Sequence, residues 1–331
     1  MTTYKDIRGT HITTVTTDPP APVNGQMWYN STSKVIKGFT SNPAGSWATG
    51  GTLNSARFDF ASSVSSPPTS ALVAGGATPT GVETESYNGT SFSEVNDLNT
   101  GRFSVRGSGN SNTAALAFGG YGPPPSNVDY TNTESWNGSS WTEVNDLNSA
   151  RQQMGSSGTQ TAALAFGGNP SPVNASTESW NGSSWTEVND LNTGRSQIAG
   201  FGLTNTAALG QGSSSIPTGS LTESWNGSTW TETTDINTPR RSQSGGGTYT
   251  SGLVFGGETP AAASVDNTET WNGSAWTETT DLLTAVRAAT GTGTSVQAAM
   301  CIGGADSPGT ARDLNQEFTS PTTSTVTFTA S

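Results

Sequence analysis

A fifteen-residue segment occurs twice in this chain without a single change: Glu134 to Asn148, reading Glu-Ser-Trp-Asn-Gly-Ser-Ser-Trp-Thr-Glu-Val-Asn-Asp-Leu-Asn, returns as Glu178 to Asn192. Looser copies start at Glu85, Glu223 and Glu269, and Ala-Ala-Leu-Ala-Phe-Gly-Gly recurs at 114–120 and 162–168. A recurring arginine serves as a ruler: Arg57, Arg102, Arg151, Arg195, Arg240 and Arg287, at intervals of 45, 49, 44, 45 and 47 residues. A period in the forties means that one supersecondary unit is stacked many times. An uneven period suits blades whose loops differ in length better than a rigidly stacked solenoid.

Each unit reads as four short strands. A small, polar stretch such as Gln152 to Gly158 suits a crowded innermost strand. An apolar run stopped by glycines, such as Ala162 to Gly168, reads as a buried second strand. Thr-Glu-Ser-Trp and Ser-Trp-Thr-Glu-Val then flank Asn-Gly, a strong hairpin signal in which both residues tolerate positive φ in a type I′ turn. The pairs Trp136/Trp141, Trp180/Trp185, Trp225/Trp230 and Trp271/Trp276 therefore fall on hairpin arms, where they can pack against a neighbouring unit. The expected fold is all-β: a propeller of four-stranded blades, six by this reading, with a short β-rich N-terminal arm. Residues 1–50 form the arm and 51–331 the propeller.

The Gly-Gly after the second strand, an aromatic residue about a dozen positions later, a tryptophan on the fourth strand and a closing arginine together resemble the kelch repeat, over roughly residues 52–331. Three places depart from the pattern. Leu209-Gly210-Gln211-Gly212 stands where Gly-Gly is expected; Tyr87 and Phe92 replace tryptophans in the first unit; and the last unit, Gln316-Glu317-Phe318 with Thr325-Val326-Thr327-Phe328, is degenerate. Trp47, in Gly45-Ser46-Trp47-Ala48, reads as a further outer strand that either completes the last blade or belongs to the arm, with Thr325 to Ala330 filling that slot instead.

Charge marks the same boundary as the repeat. Residues 1–50 carry four basic and two acidic groups, whereas 51–331 carry nine arginines against 23 acidic groups. An acidic propeller repels nucleic acid and anionic membranes, so neither is expected as a partner. The apolar set is only 31% of the chain, but it recurs at fixed places and includes ten tryptophans. Cys301 is the lone cysteine, in the apolar Met300-Cys301-Ile302 run, and reads as a buried thiol. The N-terminal residues lack the apolar core of a secretory signal.

Kelch-type propellers include a copper oxidase, but its chemistry needs histidine ligands and a Tyr–Cys pair, and the single histidine here is His11, in the arm. The same count excludes a Ser-His-Asp triad and a histidine-rich zinc site within the propeller. No cofactor and no metal is expected. Asp97, Asp146, Asp190, Asp235 and Asp281, with Glu94, Glu143, Glu187, Glu232 and Glu278, recur in successive units. Paired carboxylates serve glycosidases, yet a residue present in every blade reads as a turn or cap element, because an active site occurs once. The chain is accordingly expected not to be an enzyme. Solvated turn carboxylates with the arginines as their partners are the expected arrangement.

The loops between the second and third strands vary, while the blade-to-blade loops read as nearly constant. Tyr121 and Tyr130, in the loop carrying Pro123-Pro124-Pro125, are the ligand-binding candidates. In the arm, Gly25-Gln26-Met27-Trp28-Tyr29-Asn30-Ser31-Thr32 opens a two-strand hairpin that resembles a module near the N-termini of tail-fibre and other structural proteins of tailed phages, marine ones especially. That resemblance covers about 25 residues. It implies a virion structural protein (tail fibre, tail-associated or decoration protein), with Trp28 and Tyr29 attaching the arm to other virion proteins. The propeller would then bind a host-surface polysaccharide or another virion protein. A homo-oligomer is left open. The alternatives are a glycan-active enzyme using loop carboxylates and an intracellular kelch-type interaction hub.

Overall fold

A computed structural model describes residues 12–23, 25–42, 45–77, 80–170, 174–214, 218–320 and 322–328. His11 lies outside them. Two compact units emerge: 47–319, and 1–46 together with 320–331.

The larger unit is a β-propeller of six four-stranded antiparallel sheets. Blade 1 runs Ala61–Ser62, Ala71–Ala74, Thr84–Tyr87, Phe92–Val95; blade 2 runs Arg106–Ser111, Ala114–Phe118, Thr133–Trp136, Trp141–Val144. Blade 3 (155–188), blade 4 (199–232) and blade 5 (244–278) repeat that order. Blade 6 joins Thr290–Ser295, Ala298–Ile302 and Asn315–Thr319 to Ser46–Thr49, a strand from the other end of the chain. Each innermost strand packs on the next, and that of blade 6 packs on that of blade 1, so the ring closes.

Trp47 thus completes the last blade. Its indole donates to the Thr280 carbonyl of blade 5 at 3.1 Å, and its ring lies 5.1 Å from that of Phe255. The outer tryptophans of other blades do the same: Trp185 of blade 3 meets Phe118 of blade 2 at 4.9 Å and donates to Thr133 Oγ1. Thr322–Phe328 does not enter the propeller. It pairs antiparallel with Val35–Asn42, which pairs with Met27–Asn30, which runs parallel to Thr13–Val15. The sequence boundary at residue 50 is corrected by this strand exchange: 47–50 belong with the propeller and 320–331 with the N-terminal segment.

Five blade junctions share one latch. In blade 3, Glu178 of the third strand is buried and accepts from Asn148 N (2.7 Å), Asn148 Nδ2 (2.8 Å) and Arg151 Nη2 (2.8 Å). Arg151 Nη1 donates to the Ser176 carbonyl at 2.6 Å, while the Arg151 carbonyl accepts the amide of Gly120 from blade 2. One residue therefore ties two blades. Gly120 has φ +105°, and a Cβ there would stand 2.8 Å from the Phe103 carbonyl oxygen, so no side chain fits. The same set recurs as Arg57–Glu85, Arg102–Glu134, Arg195–Glu223 and Arg240–Glu269. Burial lowers the pKa of each of these guanidinium groups, and the neighbouring glutamates work against that shift.

Two expectations change here. The arginines pair with the buried glutamate of Thr-Glu-Ser-Trp, not with solvated turn carboxylates. Asp97, Asp146, Asp190, Asp235 and Asp281 instead cap the third strands, accepting from Thr84, Thr133, Thr177, Thr222 and Thr268 N. In the sixth linker the ruler is also one residue out. Val286, whose carbonyl accepts from Gly257 N, occupies the arginine position, and Arg287 follows it. There Leu283 replaces the asparagine and Gln316 the glutamate, so the latch has lost its charges together.

The Asn-Gly turns differ from the type I′ expectation as well. Trp136 pairs with Trp141 across a four-residue loop in which Gly138 has φ +95°. Asn137 keeps negative φ, and its Oδ1 accepts from the amides of Ser139 and Ser140, both at 2.9 Å. An asparagine side chain stabilises this turn by mimicking a backbone carbonyl.

Candidate functional site

Two residues past each latch position, the chain enters the central channel in the left-handed conformation: Asp59, Ser104, Gln153, Gln197, Ser242 and Ala288, with φ between 48° and 55°. None is glycine, and each such residue costs on the order of 1 kcal/mol. The compensation is a collar of backbone hydrogen bonds passing from blade to blade. Asp59 N donates to Ala288 O, Ala288 N to Ser242 O, Ser242 N to Gln197 O, Gln197 N to Gln153 O, and Gln153 N to Ser104 O, at 2.8–3.4 Å. At the sixth place the Ser104 side chain engages the Asp59 carboxyl.

The far end of the channel is sealed by blade 1. Pro67-Pro68 cannot donate to a strand ladder, and the preceding residues turn across the channel instead. Ser65 N donates to Gly109 O of blade 2, and Ser65 Oγ reaches Gly158 O of blade 3 and Gly202 O of blade 4. Gly293 N of blade 6 donates to Val64 O. This detour also explains Tyr87. In blades 2 to 5 the third-strand tryptophan donates to the turn between the first two strands, as Trp136 does to Asn112 O. Tyr87 instead sends its hydroxyl to Glu317 of blade 6 at 2.5 Å.

Between collar and seal lies a blind pit of about 40 Å³. Phe60, Val64, Met154 and Ile198 give it apolar wall; Arg106, Ser156 and Gln243 give it polar groups. Arg106 is held by the Met154 carbonyl at 2.7 Å.

Around the collar, the residue after each latch position pairs with the residue after each glycine turn: Phe103 with Tyr121, Gln152 with Asn169, Arg241 with Glu258, and Arg287 with Ala305. In blade 1 the pair is Phe58 and Ala77. The sixfold scaffold loses its symmetry here. One arc is aromatic (Phe58, Phe103, Tyr121), the next is amide (Gln152, Gln153, Asn169, Gln197), and the last is ionic. Glu258 sits between Arg241 and Arg287, each at 3.0 Å. Burial pushes the Glu258 carboxyl up, but the two guanidinium groups outweigh it and hold it below the usual carboxylate range. Asp59 is raised by burial, against the pull of Arg106 and Arg287.

Of the sequence candidates, Tyr121 lies on this rim, half-buried beside Phe103. Tyr130 does not join it as a free aromatic: its hydroxyl bonds Ser126 of its own loop at 2.9 Å and stands over Gly122. Trp28 is 0% exposed and donates to Asp18 Oδ1, so its ring is core of the smaller unit and not an attachment surface. Tyr29 is half-buried. The collar and pit residues carry no repeat signal in the sequence, where the linkers read as nearly constant. They are constant up to the latch arginine and diverge immediately after it, as Phe-Asp-Phe, Phe-Ser-Val, Gln-Gln-Met and Ser-Gln-Ile.

No protein-family model and no curated protein matches the sequence. Among solved structures, that titled "Structure of YjhT" is similar, with a TM-score of 0.68 at 11% identity over 83% of this chain and 99% of that one. At that identity the likeness establishes the β-propeller fold and nothing finer.

Proposed function

We propose that the chain is a non-enzymatic binding protein of a phage particle. Its propeller recognises a host-surface glycan, or another virion protein, at the face around the channel mouth. The smaller unit attaches it to other virion proteins. The observation that carries the binding part is where the repeat breaks its symmetry. Latches, aspartate caps and Asn-Gly hairpins recur in five blades, whereas the third residue past the latch position, which lines the pit in five of the six blades, differs in every blade: Phe60, Val105, Met154, Ile198, Gln243 and Ala289. A rigid scaffold with one variable, partly apolar concavity is how binding sites are built. The particle assignment rests on the Gly-Gln-Met-Trp-Tyr-Asn-Ser-Thr resemblance.

Two of the three recurring carboxylate sets have structural work: Glu85, Glu134, Glu178, Glu223 and Glu269 latch and the aspartates cap, while Glu94, Glu143, Glu187, Glu232 and Glu278 are exposed on the outer strands. That favours binding over the glycan-active alternative. The test is to incubate purified protein with host-surface polysaccharide and follow both retention on the polymer and release of reducing ends. Retention without release supports the proposal. Release that is lost on replacing Asp59 or Glu258 would establish the enzyme instead.

A further inference from the structure

We infer that the pit is a saccharide subsite that takes the hydroxymethyl arm of a hexose, with Gln243 as its specificity-determining acceptor. This rests on the glycan reading of the same face and goes further by naming the group that enters.

Gln243 is the odd member of its ring. At the equivalent position the other blades carry Phe60, Val105, Met154, Ile198 and Ala289, all apolar. Gln243 is 5% exposed and lines the pit. Its Nε2 donates to the Gln211 carbonyl at 2.7 Å, which fixes the amide orientation. Among the described residues its Oε1, which is buried, has no hydrogen-bond partner. A buried acceptor left unmatched is destabilising, so this position calls for a donor. In the adjoining blade the fully buried Gln211 replaces the phenylalanine found as Phe118, Phe166 and Phe255, and both its amide atoms are likewise unpartnered.

The pit also holds a donor, the Arg106 guanidinium. A hydroxyl group is the simplest partner for both, since it donates through its one hydrogen and accepts through its lone pairs. Size restricts the choice further. One water needs on the order of 10–15 Å³ by this measure; a space of about 40 Å³ admits a CH₂OH arm but excludes a sugar ring. The methylene would meet Phe60, Met154 and Ile198. The ring would remain outside the pit, on the side of the half-buried rim aromatics Phe58, Phe103 and Tyr121.

The experiment uses the full chain, saturation-transfer NMR, and the methyl glycosides of glucose and galactose beside their 6-deoxy counterparts. Wild type should bind at least one parent sugar roughly tenfold more tightly than its 6-deoxy analogue. Gln243→Leu restores the apolar ring of the other blades. It should keep the wild-type melting profile, weaken the parent sugar by a similar factor, and no longer distinguish the pair. A wild type that binds sugar but ignores the missing hydroxyl, or a Gln243→Leu protein that still discriminates, overturns the subsite and leaves the glycan reading standing. No binding of any sugar by wild type overturns both.

Discussion

Arg151 Nη2 donates to Glu178 Oε1 at 2.8 Å with both side chains out of solvent, and the Arg151 carbonyl receives the amide of the preceding blade. Breaking a buried pair leaves an uncompensated charge, whereas replacing both members can be nearly neutral. The sixth junction, with Val286 and Gln316, is an internal example of the second case.

The latch therefore predicts strong non-additivity. Glu178→Gln and Arg151→Val alone should each destabilise the propeller by about 3–5 kcal/mol. The double variant, which reproduces the Val286 and Gln316 pair of the sixth junction while keeping Asn148, should lose clearly less than the sum. Denaturant unfolding of the four proteins measures this. Additive losses would mean that the pair acts as two independent residues.

Ring closure depends on Trp47, which is 5% exposed and lies against Phe255 and Phe318. Trp47→Ala should cost about 3–5 kcal/mol, the usual loss for truncating a buried tryptophan. Hydrogen exchange should rise first in blade 6. Unchanged protection of Asn315–Thr319 would contradict closure by this strand.

The smaller unit has its own pH response. Asp18 accepts from Lys37 Nζ (2.6 Å), Asn30 Nδ2 (2.8 Å) and Trp28 Nε1 (3.0 Å), and these partners, Lys37 foremost, hold its carboxyl down to about 2. A folded-state pKa below the unfolded value gives stability that is complete above the unfolded pKa, near 3.8. That contribution is lost as pH falls from there toward 2. The Trp28 indole N–H resonance should move with a midpoint near pH 2, and Asp18→Asn should abolish that titration. A midpoint at the ordinary carboxylate value would show that the three bonds do not form.

Much of the propeller was legible in the sequence because its devices repeat. Trp136, Asn137-Gly138 and Trp141 recur in four blades, and in a fifth with Tyr87 and Phe92 as the aromatics; such a pattern fixes hairpins and strand order without any contact being known. The latch is less legible, because the aspartates lie nearer to the arginines in sequence than the glutamates that pair with them; the sign of the true set is that Asn148, Arg151 and Glu178 change together to Leu283, Val286 and Gln316 in the sixth junction. Arg287 hid this by standing one residue beyond the vacated position. The pit was not legible, since Arg106 and Gln243 each stand in one blade only and converge only when the blades meet at one axis. Nor did the sequence decide which end closes the ring. Trp47 and Thr325–Phe328 both read as outer strands, and they are separated by strand pairing: Ser46–Thr49 joins Asn315–Thr319, whereas Thr322–Phe328 joins Val35–Asn42.

The central claim, that this is a binding component of a virus particle, is tested most directly by quantitative mass spectrometry of particles purified from the source culture. A fixed copy number per particle, retained through density-gradient purification, is the predicted result, and the number would indicate a tail, fibre or capsid position. Absence from purified particles, with the protein recovered only from the cell fraction, would contradict the account and favour an intracellular interaction hub.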